Sequence, residues 1–132
     1  MKRFRLTPPR PARQSENDIE RQCLDALRWR HYRPERLQVG RFRSLDGKRV
    51  ITGHPTGTPD YIVCHSLFPA FYLEVKRPGE SPAPEQEQKH VELALNNLAV
   101  VWADGFEVLL RWVEQHEQTA RERWARELEK PC

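Results

Sequence analysis

The chain has little of what staples a fold or spans a membrane. Its 132 residues include three cysteines, Cys23, Cys64 and Cys132. They are odd in number and show no C-x-x-C spacing, which excludes a disulfide framework and a zinc site built on thiolates. All three are expected to be reduced, two of them as core residues. No apolar run approaches the length that crosses a bilayer, and no secretory leader is visible. The expectation is a soluble protein of the cytoplasm or nucleoid, with no membrane partner. The length suits one hydrophobic core and not two.

Acidic residues are scarce in the first part of the chain. Residues 1–49 hold 14 Lys and Arg against 6 Asp and Glu, whereas residues 50–132 hold 8 against 13, so the formal +3 divides into +8 and −5. Basic charge gathered at one end is the electrostatic footprint of a partner with a phosphate backbone. Residues 1–14 carry Pro8, Pro9 and Pro11 among five basic side chains with little to bury. They read as a basic, flexible arm ahead of a domain at 15–132.

What the chain does have is charge set inside two apolar runs. Tyr61 to His65 and Phe71 to Arg77 are short, β-branched and aromatic, and read as strands. Alternation puts Glu74 and Lys76 on one face and Phe71, Leu73 and Val75 on the other. If the strands form an antiparallel hairpin, Asp60 lies across from Glu74 and Lys76. Two carboxylates at one point repel unless a cation sits between them, and hard oxygen ligands suit Mg²⁺ or Mn²⁺. Such an ion activates water and polarises a phosphoryl oxygen, with Lys76 one pleat away to stabilise developing charge. The alternative is a structural ion pair between Asp60 and Lys76, with Glu74 solvated.

The ordered set Gly57-Thr58-Pro59-Asp60, Glu74-Val75-Lys76-Arg77 and Pro84-Glu85-Gln86 resembles the virus-type replication-repair nuclease (VRR-NUC) family of the PD-(D/E)xK superfamily, over about residues 15–113. The resemblance implies an α/β fold with a restriction-endonuclease-like core, a central mixed sheet flanked by helices, and metal-dependent DNA cleavage. It implies that Asp60, Glu74 and the Val75 carbonyl hold Mg²⁺ or Mn²⁺ and that Lys76 serves the attacking water. A helix-borne acid joins them, Glu16 in the setting Glu-x-x-Ile, with Glu20 as second candidate. Gln86 at the start of the second helix completes the site, with Gln88 as the alternative register. Small members of the family, often phage-encoded, resolve Holliday junctions as dimers, so branched DNA and a second copy are the implied partners. Asn97 stands where the family commonly has Gly.

The remaining elements fit that frame. Ser15 reads as a helix N-cap with Asp18 three residues on. The helix runs to about His31, with Glu16, Ile19, Cys23, Ala26, Leu27 and Arg30 on one face. Leu37 to Gly53 reads as a hairpin turning at Asp46-Gly47. Its Arg41, Arg43, Lys48 and Arg49, together with His54 and Arg77, are candidate DNA contacts. Trp29, His31 and Tyr32 are either base-stacking or core residues. A helix follows Pro84 and closes at Asn96-Asn97, with Gln88, Val91 and Leu95 on one stripe. Leu98–Ala103 reads as a central, doubly covered strand. A helix then starts at Phe106, and a charged tail helix carries Trp124 and Leu128. Leu110, Val113, Trp124 and Leu128 are candidates for a homodimer interface. Two readings from other classes stand beside the enzyme: a DNA-binding module on this fold without catalysis, and an unrelated α/β interaction protein.

Overall fold

A computed structural model of the chain describes residues 14–131, so the basic segment 1–14, save Gln14, and Cys132 lie outside the described residues. The elements run α1 (Glu16–Trp29), β1 (Arg33–Arg36), β2 (Arg41–Arg43), β3 (Val50–Thr52), β4 (Tyr61–Cys64), β5 (Phe71–Val75), α2 (Pro84–Leu95), β6 (Ala99–Ala103) and α3 (Phe106–Glu129). The class is α/β. A mixed four-stranded sheet has the order β1-β4-β5-β6, and β2 and β3 form a second, two-stranded sheet. Among the described residues no helix is long and apolar enough to cross a membrane.

Helix α1 starts where the sequence says it should. The Ser15 hydroxyl accepts from the Asp18 N–H at 3.1 Å and the Asp18 carboxylate accepts from the Ser15 N–H at 3.2 Å, a reciprocal cap that satisfies two otherwise orphaned donors. Its stripe Ile19, Cys23 and Leu27 is buried. That stripe meets the sheet face built from Tyr61, Val63, Phe71, Leu73, Val75, Val101 and Ala103, with Leu109 and Val113 of α3 closing the same core. Ordinary apolar burial, of the order of 25 cal/mol per Å², drives this layer.

Strands β4 and β5 pair antiparallel with Tyr61 opposite Leu73 and Val63 opposite Phe71. The expected hairpin is present, and its register extended by one residue sets Asp60 opposite Glu74. Strand β6 pairs parallel with β5. Helix α2 crosses between them, starting at Pro84 and closing with Asn97 in the left-handed region at φ 61°.

Several expectations are corrected. Strand β1 carries no strand signal in the sequence, because Arg-Pro-Glu-Arg lacks strand composition. It is an edge strand on β4, where proline is tolerated. Strand β6 is an edge strand and not central. Both α2 and α3 pack against it, yet Trp102 remains 39% exposed. The helix at Phe106 and the tail helix are one continuous helix of 24 residues. Two cysteines are expected in the core; among the described residues Cys23 is buried and Cys64 is exposed. The stripe of α2 is not a core face: Gln88, Val91 and Leu95 are exposed. Tyr32 belongs to the core, while Trp29 is 87% exposed.

Candidate active site

The site is assembled by one turn, one strand end and one helix start. The turn Gly57-Thr58-Pro59 is buried, and the Thr58 hydroxyl donates to the Pro55 carbonyl at 2.7 Å. Gly57 has φ 91°, and a Cβ there would lie 2.7 Å from the Glu85 carbonyl oxygen. Only glycine lets this turn seat against the first residues of α2. The contact brings Asp60 and Gln86 to the same end of the sheet.

Asp60 is tied into place from both sides. Its carboxylate Oδ2 accepts from the Val75 N–H at 3.0 Å, and its carbonyl accepts from the Leu37 N–H at 2.8 Å. Glu74, opposite, is only 1% exposed. Its Oε1 accepts from Gln86 Nε2 and lies 3.6 Å from Lys76 Nζ. The latter is an ion pair too long for a hydrogen bond. Gln86 is in turn oriented by the Ala83 N–H, which donates to its Oε1 at 2.8 Å. The structure therefore gathers Asp60, Glu74, Lys76 and Gln86. It puts Gln86 in the site in preference to the exposed Gln88.

The electrostatics are those of a site short of positive charge. Burial raises the Asp60 carboxyl above the usual range, and the Glu20 charge adds to this against the opposing Val75 N–H. Burial together with the Asp60 charge pushes Glu74 up to about 7, against the lowering effect of Lys76. Glu74 Oε2 is buried without a hydrogen-bond partner among the described residues. An unpartnered buried carboxylate oxygen is costly, and a divalent cation between Glu74 and Asp60 would relieve both the desolvation and the repulsion.

The implied metal set is gathered only in part. Among the described residues no three His, Cys, Asp or Glu side chains converge as a metal-holding group. Glu16 is drawn to Arg77, 3.9 Å away, because it sits on the first, open turn of α1. Glu20, one turn further on, is the α1 acid whose charge reaches Asp60. It is engaged by Arg36 at 2.9 Å and by the Tyr61 hydroxyl. What remains fits Mg²⁺ nonetheless, since that ion is commonly held by one or two carboxylates and keeps several waters.

Sequence reasoning missed two neighbours. Arg36 lies on the unforeseen β1 and carried no signal. His90 stands one turn after Gln86 on α2, and that i, i+4 spacing was a signal. Its Nε2 is buried and unpartnered among the described residues, and burial and the Lys76 charge lower its pKa. Arg41, Arg43, Lys48, Arg49, His54 and Arg77 are all exposed. No family model matches the chain, and no curated protein matches it.

Proposed function

We propose that the protein is a Mg²⁺- or Mn²⁺-dependent DNA endonuclease on a restriction-endonuclease-like core, hydrolysing phosphodiester bonds in branched DNA such as Holliday junctions. The observation that carries this reading is Glu74, a buried carboxylate with one unpartnered oxygen, set across the register from a second, half-buried acid, Asp60, and one pleat from Lys76. A purely structural ion pair would bury one acid against one base. Here two acids share one lysine.

Asp60, Glu74 and the Val75 carbonyl would hold the ion, with water completing its shell and Glu16 or Glu20 reached through water. When bound, the ion lowers the pKa of a bound water and polarises the scissile phosphoryl oxygen. The chain's own residues do the rest. Lys76 orients the attacking water or a non-bridging phosphate oxygen with its ammonium. Gln86, fixed by Ala83, holds Glu74 in one rotamer. Arg77, exposed two residues beyond β5, receives a neighbouring phosphate, while Arg41, Arg43, Lys48, Arg49 and His54 position the backbone. Two copies of the chain supply one cut to each of two opposing strands of a junction.

The test is a calorimetric titration of Mn²⁺ into the wild type, Asp60→Asn and Glu74→Gln. One ion per chain is expected, with affinity at least about tenfold weaker in either variant. Equal binding in all three proteins would make the carboxylate pair structural. Metal and DNA binding without turnover would leave a DNA-binding module that has lost its chemistry.

A further inference from the structure

The β2–β3 ribbon springs from the catalytic end of the sheet, yet it takes no part in the chemistry above. Its base is stitched beside Asp60. The Leu37 N–H donates to the Asp60 carbonyl at 2.8 Å, the His54 N–H to the Gln38 carbonyl at 2.7 Å, and the Gly53 N–H to the Gly40 carbonyl at 2.7 Å. Beyond that base every strand residue is exposed. An isolated two-stranded hairpin is marginal in water, and this one carries no core to hold its shape.

Its tip, by contrast, is closely built. The Ser44 hydroxyl donates to Asp46 Oδ1, and the Lys48 N–H donates to the same oxygen at 3.0 Å. The Arg49 N–H donates to the Ser44 hydroxyl at 3.1 Å, and the Gly47 N–H donates to the Ser44 carbonyl at 2.9 Å. Asp46, the one acid between residues 41 and 52, is thereby engaged by the turn's own donors while staying exposed. Phe42, Val50 and Ile51 are exposed along the strands, and two further features stand out from the ribbon. One is Leu45 at the apex, 111% exposed. The other is the set of four cations, Arg41, Arg43, Lys48 and Arg49.

We propose that this ribbon is a DNA wedge: the four cations seat on phosphates while Leu45 enters the base stack at a branch point and holds it open. The proposal rests on the DNA-cleavage reading above. A two-stranded ribbon is narrow enough for a DNA groove, and apolar side chains at such tips unstack base steps. A protein partner or second copy would want one continuous apolar face low in charge. Here the cross-strand register sets Phe42 opposite Ile51 but Arg43 opposite Val50, so the apolar side chains divide between the two faces among the cations. From the bridge joining Val39 and His54 to the apex is about 20 Å at ~3.3 Å per residue. The opened step therefore lies within roughly six base pairs of the cut, at ~3.4 Å per pair.

The test places 2-aminopurine at the branch of a three-way DNA, and at the same position of a linear duplex, with the full chain in EDTA so that the DNA stays whole. Wild type should raise the branch fluorescence at least about threefold, and Leu45→Ala should lose that rise while its affinity falls less than about fivefold. The double variant Arg43→Ala, Arg49→Ala should weaken binding at least about tenfold at low salt. A Leu45→Ala protein that reproduces the wild-type rise overturns the wedge and leaves the nuclease reading standing. A change of molecular mass in Leu45→Ala without a fluorescence effect assigns the apex to a second copy and likewise overturns it. A wild type that binds neither DNA overturns both readings.

Discussion

Glu74 concentrates the cost and the use of the site. In the unfolded chain it ionises near 4.5, and in the fold burial and the Asp60 charge push it up to about 7. A raised folded pKa means that the stability linked to this proton is complete below pH 4.5 and is lost as pH rises through 7. Glu74→Gln has no proton to lose. In metal-free buffer at pH 8 it should be more stable than wild type, by up to about 3 kcal/mol at ~1.4 kcal/mol per pKa unit. The advantage should vanish near pH 4, and added Mg²⁺ should stabilise the wild type alone. Urea melts across that pH range check it; parallel profiles for the two proteins would show that Glu74 carries no such penalty.

At the scale of elements, the longest helix is held by a buried acid. Glu117 on α3 accepts from the Tyr32 hydroxyl at 2.9 Å and from Arg30 at 3.0 Å, joining the end of α1 to the middle of α3. Removing the carboxylate strands a buried hydroxyl and a half-buried guanidinium. Glu117→Ala should cost about 3 kcal/mol, read from the urea midpoint, and a loss below about 0.5 kcal/mol would show the network to be idle. None of this was legible from the sequence, where residues 114–130 read as a charged tail with Trp124 and Leu128. Long-range pairing of this kind leaves no periodic trace. The elements that were legible are those with local chemistry: the Ser15–Asp18 cap, the Asp46-Gly47 turn, Pro84 at the helix start and the alternation through Glu74 and Lys76. Strand β1 was not, because its partner β4, and not its composition, makes it a strand. The same limit applies to Glu16. Its i, i+3 spacing to Ile19 is right for a core-facing stripe, but the first turn of α1 lies open and Arg77 claims the side chain.

For the whole molecule the proposed second copy needs a surface, and the structure narrows the choice. Val113 is wholly buried and leaves the set of interface candidates. Leu110 is half-buried, and Trp124 is partly covered by stacking on Phe68 with ring centroids 5.7 Å apart. Leu128, 86% exposed, is the candidate its own domain does not cover. Light scattering at micromolar concentration should give a dimer for the wild type and a monomer for the Trp124→Glu, Leu128→Glu double variant. A monomeric wild type that cuts opposing strands symmetrically would remove the dimer and leave the chemistry intact.

The most direct test of that chemistry is single-turnover cleavage of end-labelled branched and linear DNA in Mg²⁺ and in EDTA, by wild type and Lys76→Ala, with binding measured in parallel. The wild type should cut only with the metal. Lys76→Ala should cut slower by about 10²–10³ or more, with DNA affinity kept within about threefold because many other cations share the backbone. A Lys76→Ala rate within tenfold of wild type, or no metal-dependent cutting of any substrate by the wild type, would contradict the account.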